Sequence, residues 1–401
     1  MKIVTIGMSP YNLMANGKLH SWIIEDLRAH GHAVCGLVWA HDNTYFVPDD
    51  HGTHFYEVGD CKVPIIPFQR GTNNEPIVIY EALNAVEPDV VITIGELADA
   101  GFMKAIRMFM TKPFKWISVL SNYQYPISGE NAELVEYMDA ILCTSKASRR
   151  AVANFQGDTD RTKFVGCSTE FQLNRQSHDD HFRFMVNGKN LQADNLAMVM
   201  EAASRARQHI PGLELYVHTN VYDQGEYDLS AIKLRFDPHE EFIRLPAKYV
   251  SLFDGLSDEE LSLELNKSDV FISVPLVSAT SLTVFEALAC GCFPILSDCG
   301  SNTDIAIALE EYFSGKYSRN DFLVRCIQLM TVGETYLNIC DPEQLEKKMI
   351  WTFKNQEKYA GDRKNLSVFS QQHSKRGFLD SLVEVLRQTK TSGEVLCLET
   401  V

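Results

Sequence analysis

The feature that most restricts this chain is an alternation of unbroken apolar runs with helical periods, carried through once and begun again near Phe182. MKIVTIGM, HAVCGLVW, KWISVL and MDAILCTS are such runs, and PDVVITIG carries another after a proline-marked break. None shows the polar alternation of a half-exposed sheet. Both faces of the sheet must then be covered, which points to a parallel sheet with helices on each side. Between the runs, Leu19, Ile23 and Leu27 recur at helical spacing, and Gly31 stands where a C-terminal cap belongs.

The second round reads FRFMVNG (strand), NLAMVMEAASRARQHIPG (amphipathic helix), LELYVHTN (strand), YVSLFDG (strand) and SDEELSLELNKS (helix). DVFISVP, TVFEALACG and FPILSD continue it as strand, helix and strand. Two doubly wound Rossmann-like α/β domains are expected, facing each other across a cleft. The first spans residues 1–170 and the second 171–365, with the polar stretch Thr169–His181 as connection. A C-terminal helix over 366–390 packs back toward the first domain, and 391–401 is a tail.

Composition excludes several classes. The 401 residues are 45% hydrophobic and 22% charged, ordinary for a globular chain with room for two cores. No stretch approaches the roughly 20 apolar residues that span a bilayer, and the N-terminus lacks the features of a signal peptide. A cytoplasmic location is the expectation. The net charge of −16, from 37 basic and 53 acidic residues, argues against nucleic acid and anionic membrane surfaces as partners. Ten cysteines are present without a C-x-x-C pair. Cys35, Cys143, Cys290, Cys292 and Cys326 lie in apolar runs and read as reduced core residues, so no metal site is expected.

Ligands of doubly wound sheets bind where strands end and helices begin. Four such junctions stand out. After the first strand, Gly7–Lys18 leads toward the helix at Leu19, and Asn16-Gly17 would let backbone approach a phosphate or sugar; it reads equally as a plain turn with Asn16 near a cap. Gly188 and Lys189 follow the strand FRFMV, where a lysine is either a point charge for a diphosphate or a solvated surface group. The junction Leu215–Asn220 ends in His218-Thr219-Asn220, polar groups for the cleft, with His218 either a ligand contact or structural. The richest junction is Pro275–Gly291, with Thr280, Ser281, Leu282 and Thr283 at a helix start and Glu286 just inside it. Free N–H groups at such a start favour an anion. Thr283-x-x-Glu286 also fits a capping box, and both roles can hold together.

The order of these motifs resembles the group-1 (family four) retaining glycosyltransferases of the GT-B fold. Ser278–Gly291 followed by FPILSDCGSNTD looks like their hallmark, LFDGLSDEELSLELNKSDVFISVP is similar to the segment before it, and FRFMVNGKN…LELYVHTN to their first strand–helix–strand. NGKLHSWIIEDLRAHGHAV and MDAILCTSKASRRAV resemble elements of their first domain. The resemblance implies a hexosyltransferase that takes sugar from a UDP- or GDP-linked donor, without a further cofactor or metal, for glycan or glycoconjugate synthesis. It implies that Glu286 binds the ribose, that the N–H groups of Ser281, Leu282 and Thr283 hold the diphosphate beside Lys189, and that Asn16-Gly17 closes over the donor. Three positions depart from the pattern. The first glutamate is Ser278, a common arginine–lysine pair is Gly188-Lys189, and the middle-strand histidine gives way to Ser121, Asn122 and Tyr123, with Asn122 and Tyr123 taken as the acceptor side. A nucleotide-sugar epimerase using Glu96, or a non-catalytic partner subunit, are the alternatives.

Overall fold

A computed structural model describes residues 1–39, 54–58, 61–72, 74–121, 127, 129–156, 160–166, 169–175, 181–221, 226–248, 250, 254–331 and 336–391. The chain divides into two compact units. One is Met1–Val165 with the C-terminal helix from Arg376, the other Gly166–Lys375.

The first unit runs β1 (Lys2–Met8), α1 (Ala15–Ala29), β2 (Ala33–Trp39), β3 (His54–Val58), β4 (Cys61–Phe68), α2 (Glu75–Val86), β5 (Val90–Gly95), α3 (Met103–Phe109), β6 (Lys115–Leu120), α4 (Glu130–Tyr137), β7 (Ala140–Cys143), α5 (Lys146–Gln156) and β8 (Thr162–Phe164). Its eight strands lie in the order β3-β4-β2-β1-β5-β6-β7-β8, and only the edge strand β3 runs antiparallel to its neighbour. The apolar runs occupy the middle of this sheet: all six residues of β5 are buried, as are five of the six in β6. Trp116, Ile3 and Ile92 are fully withdrawn from solvent.

The second unit runs β9 (Phe182–Asn187), α6 (Leu196–Ala206), β10 (Leu213–His218), α7 (Leu229–Phe236), β11 (Ile243–Arg244), α8 (Asp258–Asn266), β12 (Val270–Ser273), α9 (Leu282–Ala289), β13 (Phe293–Ser297), α10 (Gly300–Tyr312), α11 (Arg319–Phe322), β14 (Leu323–Val324), β15 (Cys326–Met330), β16 (Tyr336–Cys340), α12 (Pro342–Lys354), α13 (Gln356–Ala360) and α14 (Arg363–Gln371). The final helix, α15, covers Lys375–Thr391. Six parallel strands form the sheet β11-β10-β9-β12-β13-β14, and β15 and β16 make a separate antiparallel hairpin. The expected strand YVSLFDG lies mostly outside the described residues.

Polar structure concentrates at the amino ends of this second sheet. Asp269 accepts from the Arg183 N–H at 2.9 Å and pairs with Arg363 at 2.7 Å and with Arg175. The buried Arg183 guanidinium answers Glu214 at 2.8 Å and Glu264 at 2.7 Å. Charges withdrawn from water this far are retained only when paired. These pairs fasten the entry and exit segments of the unit to its sheet and leave the carboxyl ends of the strands free for other work. Among the described residues no helix is long and apolar enough to cross a membrane.

Candidate functional site

In both sheets the strand order reverses beside the first strand of the unit: β1 against β5, and β9 against β12. At such a reversal the following connections leave toward opposite faces, and a crevice opens outside the carboxyl ends. In the second unit the crevice is bounded by the 187–195 connection after β9 and the 274–281 connection after β12.

The two connections are tied together. Leu276 N–H donates to the Ala193 carbonyl at 2.8 Å, and Asn195 Nδ2 to the Val274 carbonyl at 2.8 Å. Gly188 and Lys189 are half-exposed on the first. Gly188 N–H donates to the His218 carbonyl at 3.2 Å, which brings the end of β10 to the same place. His218 itself is buried, 6.2 Å from the Tyr216 ring. Asp194 accepts from the Lys189 N–H at 3.2 Å, and its carbon atoms leave only the width of a glycine at position 188. Burial lifts the Asp194 carboxyl to about 6, with the Lys189 charge pulling the other way.

On the second connection, α9 begins at Leu282. Ser281 caps it in the left-handed region at φ 51° and ψ 34°. This backbone costs a non-glycine residue about 1 kcal/mol. What compensates is the Ser281 hydroxyl, which lies 2.6 Å from Ser278 Oγ and 2.7 Å from Asn302 Oδ1. Ser278 Oγ in turn meets Ser301 Oγ at 2.8 Å and Asn302 Oδ1 at 3.1 Å. Asn302 Nδ2 donates to the Ser273 carbonyl at 3.0 Å and so anchors the cluster to β12. With the Ser281 side chain turned into this cluster, it makes no cap bond to the helix. Val284 and Phe285 donate to the Ser281 carbonyl, while the first N–H groups of α9 precede any intrahelical acceptor.

The capping-box reading of Thr283 and Glu286 is overturned by this geometry. With the cap at Ser281, Thr283 is the second helical residue and Glu286 the fifth. Glu286 is 2% exposed, and Thr280 is also buried. An ionised carboxylate at that depth is expensive unless held by polar partners.

The first unit needs a further correction. The helix expected from Leu19 starts at Ala15, so Asn16 and Gly17 belong to its first turn. A Cβ on Gly17 would lie 2.1 Å from the Asn12 carbonyl oxygen. Close approach of the chain's own loop therefore accounts for that glycine. Asn16 Oδ1 accepts from Ser121 Oγ at 2.9 Å, which links the first turn of α1 to the end of β6. Glu96 caps the short 3-10 turn Leu97–Ala100 in a reciprocal box with Asp99. Asn122 and Tyr123 lie outside the described residues.

Asn190, Thr219 and Asn220 follow β9 and β10 and are placed by tertiary structure at the second crevice. Asn190 Nδ2 donates to the Tyr227 carbonyl at 2.7 Å, and Asn190 N–H to Asn220 Oδ1 at 3.0 Å. Asn190 Oδ1 and Thr219 Oγ1 are buried and have no hydrogen-bond partner among the described residues. Each such atom costs about 1–3 kcal/mol when left so. In the sequence both stand in loops that follow two adjacent parallel strands, and what it does not record is the unmet acceptor on each.

Comparison with solved structures follows this division into two sheets. Sucrose-phosphate synthase from Thermosynechococcus elongatus aligns with a TM-score of 0.74 at 14% identity, over 97% of this chain and 98% of that one. HepE from Anabaena, solved in complex with UDP-glucose, aligns with a TM-score of 0.69 at 12% identity, over 97% and 100%. A glycosyltransferase from Rickettsia africae gives 0.68 at 11%, over 98% and 99%. No protein-family model and no curated protein sequence matches the chain. The strand orders and these full-length alignments establish the architecture: two Rossmann-like α/β units of the GT-B fold.

Proposed function

We propose that the chain is a glycosyltransferase that takes a hexose-type sugar from a nucleoside-diphosphate donor and passes it to an acceptor hydroxyl. The observation that carries this reading is the crevice between β9 and β12. There the open N-terminus of α9 and the Lys189 connection are hydrogen-bonded into one structure. Helix N–H groups and a lysine complement a pyrophosphate. HepE, of the same fold, was solved with UDP and with UDP-glucose, which supports a uridine donor over a guanosine one.

In this reading the N–H groups of Ser281, Leu282 and Thr283 and the Lys189 ammonium stabilise charge that develops on the leaving diphosphate. Donors fixed in place before the reaction supply that stabilisation without reorganisation. Glu286 takes the ribose hydroxyls, with Gly188, His218 and Thr280 lining the nucleotide. Asn190 Oδ1 and Thr219 Oγ1 are further acceptors for the same ligand. Retention at the anomeric carbon and a place in glycan or glycoconjugate synthesis are implied by the resemblance to the group-1 enzymes. The same resemblance assigns Asn16 and Gly17 to the donor and Asn122 and Tyr123 to the acceptor. The epimerase alternative rests on Glu96 alone, which caps a local turn with Asp99. A non-catalytic subunit is the second reading, favoured by the hydroxyl cluster that stands in place of a carboxylate at Ser278.

A panel of UDP- and GDP-sugars separates these readings by calorimetry and by release of free diphosphate nucleotide. Binding with slow donor hydrolysis supports the transferase. Binding without hydrolysis in any acceptor extract supports the subunit. Glu286→Gln weakens donor affinity by about 1–3 kcal/mol through loss of a charged hydrogen-bond acceptor. An unchanged Kd in a folded variant removes Glu286 from the donor site.

A further inference from the structure

Cys326 and Cys340 stand opposite each other at the base of the β15–β16 hairpin, with their sulfur atoms 2.8 Å apart. The first lies in an apolar run and was expected in the core. It is instead only half-buried, while Cys340 is buried. Directly opposed residues of an antiparallel pair have Cα atoms about 4.5–5.5 Å apart. A disulfide needs about 4.4–6.8 Å. Two facing cysteines on one rigid ladder are thus already within the geometry of a cross-strand bond.

The hairpin also holds the second connection of the crevice. Asn338 shares the Cys340 face, two residues along β16. It donates to the Leu276 carbonyl twice, from N–H at 2.8 Å and from Nδ2 at 3.2 Å. Its Oδ1 accepts from Gln328 Nε2 across the ladder at 3.1 Å. A tie at the hairpin base therefore acts on β16, which is hydrogen-bonded to the 275–281 loop at Leu276.

We infer that Cys326 and Cys340 form a reversible dithiol–disulfide pair whose closure stiffens the hairpin and, through Asn338, the 275–281 loop. The half-exposed Cys326 is the sulfur a small oxidant reaches first. A hydrogen bond from the Cys340 thiol holds Cys326 below the ordinary thiol value, whereas the Cys340 thiol is raised. The Cys326 thiolate attacks one sulfur of a small disulfide such as oxidised glutathione, and one glutathione leaves as its thiolate. The Cys340 sulfur then gives up its proton and attacks the Cys326 sulfur of the mixed disulfide, releasing the second glutathione. Two protein thiols are oxidised to one disulfide, and one glutathione disulfide is reduced to two thiols. The neighbouring Cys299 is buried, and its thiol donates to the Pro275 carbonyl at 3.6 Å, so it takes no part.

The full-length protein is equilibrated across a ladder of reduced and oxidised glutathione, then digested and mapped without reduction. A peptide cross-linked between Cys326 and Cys340, reversed by dithiothreitol, is expected. It is absent from Cys326→Ser and present in Cys299→Ser. Hydrogen exchange of the ligand-free protein slows about tenfold or more in β15, β16 and residues 276–281 on oxidation, as for a closed loop of this size. Glutathione left as a stable adduct on Cys326, or a bond to Cys299, overturns the pair. A cross-linked hairpin with unchanged exchange at 276–281 overturns the coupling. The bearing on donor binding rests on the transferase reading; the cross-link and its effect on exchange do not, so either can fail alone.

Discussion

The position where Gly300 would carry a Cβ lies 2.1 Å from the carbonyl oxygen of Ser278. The same carbonyl accepts from the Ser301 N–H at 3.0 Å, so the start of α10 is pressed onto the loop that precedes α9. Gly300 also holds φ +48°. Gly300→Ala meets both obstacles, a backbone clash and a left-handed conformation. Overpacking and the conformational penalty together predict a loss of about 2–4 kcal/mol. Urea unfolding followed by circular dichroism checks it. A midpoint within error of wild type means that α10 and the loop are free to separate.

The His20 ring gives a pH signature to the first unit. It is fully buried, with Nδ1 2.6 Å from the Met8 carbonyl and Nε2 2.7 Å from Thr5 Oγ1. Burial, opposed by the Met8 carbonyl, pushes its pKa down from 6.5 to about 4. The folded state therefore keeps the ring neutral while the unfolded chain binds a proton near 6.5. This contribution is fully present above 6.5 and is lost as pH falls toward 4, worth about 3 kcal/mol in all. Urea midpoints between pH 7 and 4.5 should fall less steeply in His20→Gln, although that variant is weaker at pH 7. Parallel slopes for the two proteins contradict a neutral buried imidazole.

Much of the fold was legible because parallel sheets covered on both faces write themselves as apolar runs. KWISVL became β6 at its own limits, and the acidic start of SDEELSLELN became α8 with a reciprocal cap between Ser257 and Glu260. The misses share a physical cause. Gly17 looked like a turn residue, but its role is set by the Asn12 carbonyl, which only the folded loop brings there. Thr283 and Glu286 matched a cap by spacing, yet Ser281 takes the cap because Ser301 and Asn302, far along the chain, stabilise its left-handed backbone. Local spacing carries no record of partners that tertiary structure supplies. For the same reason Asp194 went unnoticed.

Asp194 separates the demands of folding from those of the site. Its pKa of about 6 lies above the usual carboxylate value of 3.8, so the folded state binds a proton more readily than the unfolded one. Stability is therefore greatest below 3.8 with respect to this group and declines as pH rises through about 6. The side chain is only partly withdrawn from solvent, so the penalty at neutral pH is set at about 1–2 kcal/mol. Asp194→Asn keeps an acceptor for the Lys189 N–H and removes the charge. It should be more stable than wild type at pH 8 and no more stable at pH 4, as measured by urea midpoints. Its donor affinity should fall, because the carboxylate no longer steadies the Lys189 connection. A variant destabilised at both pH values shows that the charge is needed for the fold itself.

Ser278→Glu tests whether the hydroxyl cluster is a replacement for a carboxylate or merely a gap where one was lost. The resemblance to the group-1 enzymes places their first glutamate at this position. Ser278 Oγ already lies 2.6 Å from Ser281, 2.8 Å from Ser301 and 3.1 Å from Asn302. A glutamate cannot enter that space without expelling the Ser281 hydroxyl, and Ser281 would lose what compensates its φ of 51°. If the side chain swings outward, its charge sits beside the open helix N-terminus and competes with a diphosphate for the same N–H groups. Either outcome lowers donor affinity, by about 1–2 kcal/mol from the hydrogen bonds lost or contested. Titration of UDP and UDP-sugars into Ser278→Glu and wild type decides it. Tighter binding or faster donor hydrolysis in the variant would show that the loop can receive a carboxylate at this position.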